Sequence, residues 1–366
     1  MQPTIRMCIS DTGAGHRACA EALAAAIGDR AQIEIVDLMV ASGTPGIAHM
    51  PAIYNWLCRH RPVWGAMWYA LDGPVRARLL SDPAWLAAAR TYTRVISEGD
   101  PDLVVVVHPY LTVGVRRSMD LAGATGAMAT VVSDPVTPHA SWFEPGAERV
   151  FVSTQAAWDK AVRCGVDPAR LVLSGQPIHP RVASLPRQRA ALRERYGWDG
   201  PVILLTGGGD GVGIEPCLDV LSAQEARTVV VCGRDEALRR RVEARGVEAL
   251  GFVDDLPERM CAADLVLSKA GPSTLAECMA VGTPVLITSH MPGQEDGNLG
   301  WVTDAGAGEA AETHAKLAEA VPRWLANGAR RQALRDRAAA QQASHALDIA
   351  EELLALVPRH HRRDSA

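Results

Sequence analysis

Short, uninterrupted runs of apolar residues recur along this chain and alternate with longer stretches of helical character. Residues 103–107, Leu-Val-Val-Val-Val, are typical of a strand in a parallel sheet that helices cover on both faces. Further strands of this kind are predicted at residues 4–10, 32–37, 129–133, 150–153, 171–174, 201–206, 228–232, 247–251, 265–268 and 284–288. Because strands and helices alternate, the pattern predicts an α/β fold with two doubly wound, Rossmann-like sheets.

A proline-rich segment of weak periodicity, residues 175–186, divides this pattern into two halves. We therefore predict one domain at residues 1–178 and a second at residues 187–328. Residues 329–356 are expected to form one long helix. That helix belongs to a C-terminal segment, 329–366, which can return to the first domain.

Composition narrows the class of protein. The 366 residues are 48% apolar, which is enough for two sizeable cores, and the net charge of −5 offers no general attraction for nucleic acid. No apolar run approaches the roughly 20 residues that a membrane-spanning helix needs. The first residues are too few and too polar for a signal peptide, and the eight cysteines show no Cys-x-x-Cys spacing. We expect reduced thiols and a cytoplasmic location.

The first strand is followed by a glycine turn, Asp11-Thr-Gly-Ala-Gly-His16. Glycine lets the backbone approach a ligand closely. His16 begins the next helix, where the helix dipole is expected to lower the imidazole pKa, and a neutral imidazole can act as a general base. A purely structural hydrogen bond is the alternative role for His16. The turn is not a dinucleotide fingerprint, because Ala18 stands at the third glycine position.

A second turn of the same kind lies in the other half, in Ser268-Lys-Ala-Gly-Pro-Ser-Thr-Leu-Ala-Glu277. A strand end, a Gly-Pro turn and a helix start together make an anion site, because helix N-termini present unpaired N–H groups. Ser273 and Thr274 are expected to cap this helix and donate hydroxyl groups to phosphate. Glu277, one turn later, can accept the hydroxyl groups of a ribose. An ordinary capped helix with a solvated glutamate is the alternative.

Two further loops fall at strand ends in the second half. Residues 207–213 are rich in glycine, which suits a tight turn or a phosphate contact, but no Gly-Lys-Ser/Thr follows to make a P-loop. Residues 292–297 are expected beside the Ser273 helix, at the carboxyl edge of the sheet where ligands bind. Gln294 and Glu295 of this loop suit the hydroxyl groups of a sugar.

As an ordered set these motifs resemble a family. The matching stretches are residues 11–16, 107–109, 131–134, 139, 142–143, 174–177, 207–213, 231–234, 251–253, 268–277, 282–284, 292–298 and 304–308. The chain is similar over about residues 4–310 to monogalactosyldiacylglycerol synthases and bacterial processive diacylglycerol glycosyltransferases, which are relatives of the peptidoglycan glycosyltransferase MurG. The resemblance implies a GT-B fold, with an N-terminal acceptor domain, a C-terminal donor domain and an inverting transfer from a UDP-sugar. It implies no bound metal or other cofactor, since helix dipole and hydroxyl groups offset the charge of the leaving diphosphate.

The resemblance also implies the donor contacts. They are Gly15, Gly208, Gly209, Arg234, Phe252, Val253, Ser268, Gly271, Pro272, Ser273, Thr274, Glu277, Gln294 and Glu295. The backbone around Phe252 is expected to hold uracil and Glu277 the ribose. Gly208, Ser273 and Thr274 are expected to hold the diphosphate, and the 292–297 loop the hexose.

Inversion in one step requires a base on the face of the sugar opposite UDP. His16 is the first candidate, because it faces the cleft from the other domain. Asp134 and His139, on the loop after the strand at 129–133, are the alternatives, and His108 is a further one. A buried structural role is an equal alternative for these last three.

Residues 50–73 are rich in Trp and Tyr with cationic side chains between them. Such a composition suits the interface of an anionic membrane, and the segment corresponds to the acceptor and membrane-contact region of the family it resembles. The alternative is a helical hairpin that packs its aromatic side chains on the sheet. Residues 359–363 can extend the basic surface, although the tail 359–366 is expected to be disordered.

The function expected from the resemblance is transfer of glucose or galactose from UDP to the hydroxyl group of a lipid such as diacylglycerol, at the cytoplasm or the inner face of the plasma membrane. A natural-product or polyprenyl-linked acceptor is one alternative. A UDP-sugar epimerase and a non-catalytic nucleotide-sugar binder are the others, and they differ from a transferase in needing no acceptor.

Overall fold

The computed structural model describes residues 2–211, 213–341 and 345–358 and contains two six-stranded sheets, all of whose strand pairs are parallel. The first sheet comprises β1 (Thr4–Ile9), β2 (Gln32–Asp37), β3 (Leu103–Val106), β4 (Ala127–Val131), β5 (Arg149–Val152) and β6 (Leu171–Leu173). The second comprises β7 (Val202–Thr206), β8 (Arg227–Val231), β9 (Glu248–Leu250), β10 (Leu265–Lys269), β11 (Val285–Ser289) and β12 (Gly308–Ala310). Every predicted strand is present, and β12 is an addition.

Strand order places two crevices at the carboxyl edges of these sheets. The orders are β2-β1-β3-β4-β5-β6 and β12-β11-β10-β7-β8-β9. The direction of winding reverses between β1 and β3 in the first sheet and between β7 and β10 in the second. Loops that leave neighbouring strands at such a point diverge to opposite faces, which opens a ligand crevice. The two glycine turns singled out in the sequence follow β1 and β10.

Helices cover both sheets. Those of the first half are α1 (Gly15–Ile27), α2 (Leu38–Ala41), α3 (Met50–Arg59), α4 (Arg61–Leu71), α5 (Arg78–Ser97), α6 (Thr112–Ala122) and α7 (Gln155–Arg163). Those that follow are α8 (Arg189–Tyr196), α9 (Glu215–Ser222), α10 (Glu236–Glu243), α11 (Leu256–Ala262), α12 (Pro272–Val281), α13 (Asp296–Asp304), α14 (His314–Ala326), α15 (Gly328–Gln341) and α16 (His345–Leu356). The predicted linker contains a 3-10 helix, Pro180–Gln188. None of the helices formed by the described residues has the length and apolar character that a bilayer crossing requires.

The last helix belongs to the core of the first sheet. Alternate side chains of β1, including Ile5 and Met7, pack on one face of the sheet with α1 and with Ile349 and Leu353 of α16. The helix α15, in contrast, packs against α12 in the second half. The described residues of the segment 329–356, which was predicted as one helix, lie in α15 and α16, and these pack on different cores. The predicted disordered tail lies outside the described residues.

The aromatic segment forms α3 and α4 and joins the two halves. Trp64 and Trp68 of α4 are each 3% exposed and cluster with Met291, which follows β11 in the second sheet. Trp64 and Trp68 thus pack inward, as the helical-hairpin alternative expects, but their cluster includes Met291 from a loop of the other half and does not lie on a sheet. Trp56 and Tyr69 point outward and are 53% and 56% exposed.

Candidate active site

The two glycine turns face each other across the gap between the sheets. A Cβ atom on Gly15, at the start of α1, would lie 3.5 Å from Oγ of Ser273 in the first turn of α12. Both helices therefore direct their N-termini, with their partial positive charge, into one cleft. The halves are in contact here, so the cleft is closed in this conformation.

The start of α12 differs from the expectation that Ser273 and Thr274 cap it. Gly271 is the N-cap, Pro272 follows it, and no side chain accepts a hydrogen bond from the helix end. Proline suits the first helical position because its fixed φ fits and its missing N–H would be unpaired there. Ser273 and Thr274 thus lie inside the first turn, half-buried. The uncapped N–H groups are left to an external anion.

The glycine loop after β7 lies beside this helix start. Gly208 has φ +72°, a backbone conformation that residues with side chains rarely adopt. A Cβ atom on Gly209 would lie 3.4 Å from the guanidinium of Arg234, whose charge sits 4.7 Å from the ring centre of Phe252. Phe252 is 53% exposed, whereas Val253 packs against the core of the second sheet. An open aromatic face backed by Arg234 suits a planar base.

Glu277 lies one turn further along α12 and is half-buried. Burial raises its carboxyl pKa to about 7, with Arg181 acting in the opposite direction and Glu258 adding to the rise. Ser268, in contrast, lies within β10, 1% exposed, and its Oγ has no hydrogen-bond partner among the described atoms. Ser268 is therefore part of the floor of the site and not of the turn.

His16, the first candidate base, is buried at the start of α1. Its Nδ1 lies 3.2 Å from Oγ of Ser133, and its ring centre is 4.6 Å from that of His108. The imidazole pKa is lowered to about 4, mainly by burial, while Asp11 and the Val107 carbonyl act in the opposite direction. His16 is therefore neutral at pH 7 and can accept a proton.

Asp134, the second candidate, follows β4 and is 2% exposed. Its Oδ2 accepts a hydrogen bond from Trp142 Nε1 at 2.7 Å, and its Oδ1 accepts one from Gln294 Nε2 at 3.2 Å. Burial raises its pKa to about 6, against the effect of both hydrogen bonds. Each oxygen keeps a second lone pair, so these bonds make Asp134 a weaker base without excluding that role.

The other two imidazoles are more enclosed. His139 is fully buried, with Nδ1 2.8 Å from Oγ of Ser141 and its ring against Trp68, and burial lowers its pKa to about 4. None of the described side-chain contacts joins it to His16 or Asp134. His108 has Nε2 2.8 Å from Oγ1 of Thr12, and burial, followed by the nearby His16, lowers its pKa well below the usual value.

The loop after β11 connects the halves. The side-chain amide of Gln294 donates a hydrogen bond to Asp134 and accepts one from the Tyr54 hydroxyl at 3.5 Å. Its backbone carbonyl accepts a hydrogen bond from the Thr137 hydroxyl at 2.8 Å. Glu295 is 2% exposed, pairs with Lys269 at 2.7 Å and accepts a hydrogen bond from the backbone N–H of residue 291. The predicted role of both side chains in holding a hexose stays a prediction.

Sequence reasoning missed several side chains at this site. Ser133, which contacts His16, and Tyr54, which reaches Gln294, come together only in three dimensions. Trp142 lay within a matching motif, and that proximity in sequence to Asp134 was a usable signal.

Two doubly wound sheets that meet at their carboxyl edges define the GT-B class of glycosyltransferase folds. The MurG structure from Acinetobacter baumannii matches with a TM-score of 0.62 at 15% identity, over 97% of this chain and 99% of that one. Anabaena Alr3699/HepE in complex with UDP-glucose matches with a TM-score of 0.58 at 15% identity, over 96% of this chain and 98% of that one. At this identity the two structures support the fold alone.

Sequence comparison identifies the family. The family model described as monogalactosyldiacylglycerol (MGDG) synthase matches residues 16–178, and that of the glycosyltransferase family 28 C-terminal domain matches residues 202–353. Monogalactosyldiacylglycerol synthase of Spinacia oleracea is 30% identical over 340 residues, which are 87% of this chain and 65% of that protein. The probable monogalactosyldiacylglycerol synthase 2 of Oryza sativa subsp. indica is 30% identical over 350 residues, 87% of this chain and 72% of the relative. The chain belongs to the monogalactosyldiacylglycerol synthase family.

Proposed function

We propose that this protein transfers a hexose, galactose or glucose, from a UDP-sugar to the hydroxyl group of a lipid acceptor such as diacylglycerol, with inversion at the anomeric carbon. The observation that carries the proposal is the approach of the two glycine turns: a Cβ atom on Gly15, next to His16 at the start of α1, would lie 3.5 Å from Oγ of Ser273 at the uncapped N-terminus of α12. The relatives are named monogalactosyldiacylglycerol synthases, and these names support a diacylglycerol lipid as the acceptor.

The second half would hold the donor. Arg234 and Phe252 offer a surface for uracil, and Glu277 offers a carboxylate to the ribose hydroxyls. The diphosphate would lie against the backbone N–H groups of Ser273 and Thr274, with Gly208 leaving space for it. As the bond between C1 of the sugar and the phosphate oxygen breaks, the helix dipole stabilises the charge that develops on UDP, without a metal ion.

The first half would activate the acceptor. The acceptor hydroxyl oxygen attacks C1 from the face opposite UDP, and neutral His16 takes up its proton. Ser133 fixes the orientation of the imidazole through its contact with Nδ1. His16 is 8% exposed, whereas Asp134 and His139 are 2% and 0% exposed, and this difference in access supports His16 as the base.

We also propose that the protein works in the cytoplasm at the inner face of the plasma membrane, without crossing it. Exposed apolar side chains of α3 and α4, Ile53, Trp56, Val63 and Tyr69, support contact with lipid. A lipid acceptor does not leave the bilayer readily, so a transferase for it benefits from binding there.

A donor and acceptor screen tests this function. UDP-galactose and UDP-glucose are each incubated with the protein and with diacylglycerol, a polyprenyl phosphate or an aromatic natural product, and UDP release and product masses are measured. We expect UDP release only with diacylglycerol, and a β-glycoside by NMR from the α-configured donor. Conversion of the UDP-sugar without any acceptor would instead identify an epimerase, and no conversion of either donor would refute the proposal.

A further inference from the structure

The helix α4 of the first half begins against the glycine loop of the second. A Cβ atom on Gly213 would lie 4.0 Å from Nη2 of Arg61, the first residue of α4, and 3.2 Å from Oγ of Ser289, the last residue of β11. Three separate elements thus meet at one point, and the missing side chain of Gly213 lets a guanidinium and a hydroxyl group approach the backbone of the glycine loop.

The charges at this point are unbalanced. Among the described side chains, no carboxylate lies within ion-pair distance of Arg61. Lys269, close enough to Arg61 for the two positive charges to repel, has Glu295 as its carboxylate partner at 2.7 Å. Two cations therefore share one described carboxylate. A buried or half-buried guanidinium without a counter-charge favours binding of an anion, which it can contact through two N–H groups.

A buried hydroxyl group at this point is also without a hydrogen-bond partner among the described atoms. Ser289 is 6% exposed, and its Oγ has no partner among the described atoms. A buried hydroxyl group without a partner is unfavourable, and native structures pair nearly all such groups. A cation and an unpaired hydroxyl group therefore lie together beside Gly213, which is the chemistry of a phosphate contact.

We infer that Arg61, Ser289 and Lys269 bind the sugar-side phosphate of the UDP-sugar donor, an inference that rests on the proposed function. The position indicates which phosphate. The nucleoside end of the cleft is marked by the Arg234–Phe252 pair, whereas Arg61 lies towards β11 and Glu295, the predicted sugar end.

This assignment gives the first half a role in donor binding. Arg61 of α4 can contact the phosphate only when the two halves are together. Donor binding would therefore favour the closed cleft. The guanidinium would also stabilise the negative charge on UDP as UDP leaves, which is a role that a metal ion can have in other enzymes. The sequence placed this residue in a membrane-facing segment, because its neighbours are aromatic.

Ligand binding tests the inference. Dissociation constants of UDP and UMP are measured by calorimetry for the wild type, Arg61→Gln, Arg61→Lys and Ser289→Ala. The matched control is Arg59→Gln, which removes the same charge from an exposed position two residues away. We expect Arg61→Gln to weaken UDP on the order of tenfold and to leave UMP within about twofold, since a hydrogen bond to a charged group has this strength. The dissociation constant of UDP for Arg61→Lys should lie between those of the wild type and Arg61→Gln. Ser289→Ala should weaken UDP binding less than Arg61→Gln does, and Arg59→Gln should bind UDP as the wild type does.

The outcomes separate this inference from the proposed function. If the wild type binds UDP and Arg61→Gln, with an unchanged melting temperature, binds it equally well, the phosphate subsite is refuted and the transferase proposal stands. Equal losses for UDP and UMP would refute the assignment to the sugar-side phosphate. A wild type that binds no UDP would refute both.

Discussion

At the scale of single residues, burial sets the protonation of the groups that the chemistry needs. Burial keeps His16 neutral, with its pKa lowered to about 4, and raises the pKa of Glu277 to about 7. His16 is the second residue of α1, whereas Glu277 lies one turn into α12. How deeply each side chain is enclosed depends on tertiary contacts, which the sequence does not display.

His16→Ala should lower the turnover of hexose transfer by about a hundred- to ten-thousand-fold, the usual contribution of a general base. The dissociation constant of UDP should change little, because in the proposed mechanism the imidazole acts on the acceptor and not on the nucleotide. Initial rates of UDP release measure the first effect and calorimetry the second. His314→Ala, at the exposed start of α14, is the control and should keep full turnover. Full turnover in His16→Ala would remove its role as base.

The pKa of Glu277 predicts a pH dependence of nucleotide binding. A carboxylate accepts hydrogen bonds from the ribose, and with a raised pKa of about 7 it is ionised above that pH and protonated below it. Wild-type affinity for UDP should therefore fall between pH 8 and pH 6, relative to Glu277→Gln, by up to about tenfold. Calorimetric titrations of both proteins across this range measure the ratio. A constant ratio would show that this carboxylate does not contact the ligand.

At the scale of elements, small residues decide how closely loops and helices approach. The first turn of α12 is open because Gly271 and Pro272, and not Ser273, form its end. The residue types correctly predicted that a helix starts here. The preference of Ser and Thr for capping positions, however, suggested Ser273 and Thr274 as caps, whereas the N-cap is Gly271. The loop after β11 shows the same principle, since it packs on α4 at Gly293.

Gly293→Ala should loosen this packing. Gly293 has φ +82°, and a Cβ atom there would lie 2.1 Å from Cδ1 of Trp68. Strained backbone and overpacking together should lower the free energy of unfolding by about 2–5 kcal/mol. Gly300→Ala, within α13 and with nothing within 4 Å of the added atom, should be neutral or stabilise by up to about 1 kcal/mol. Urea denaturation compares the two, and equal effects would contradict the contact between α4 and the loop.

At the scale of the whole molecule, the chain is tied across the cleft at several places. Gln294 bonds to Asp134, Trp68 packs on the loop after β11, and α16 returns to the first sheet after the second is complete. Each half thus contributes contacts to the other. Trp56 and its exposed apolar neighbours on α3 and α4 are open to a further contact.

Vesicle sedimentation tests that contact. Trp56, 53% exposed and stacked on His60, should insert at the interface of vesicles that contain anionic lipid. Trp56→Ser should weaken binding about tenfold, which is the value of burying one large apolar side chain. Leu347→Ser, an exposed apolar position on α16, is the control and should bind as the wild type does. Equal binding by the wild type and Trp56→Ser would place the membrane surface elsewhere.

The sequence by itself determined the strands, most helices and the position of the two glycine turns. These features depend on local periodicity and on the conformations open to Gly and Pro, so a single chain displays them. The order of motifs also sufficed to identify the family. The return of α16 to the first sheet, while α15 packs on the second half, was not visible, because both stretches are equally helical in sequence.

Tertiary structure alone decided the environment of each candidate group. The bond from Gln294 to Asp134 and the approach of Arg61 to Gly213 join residues more than 150 positions apart. Burial, pKa and pairing arise from such long-range contacts, and no local pattern encodes them. Residue types therefore predicted which chemistry the cleft can hold, whereas the packing of the two halves determined which side chains are positioned to perform it.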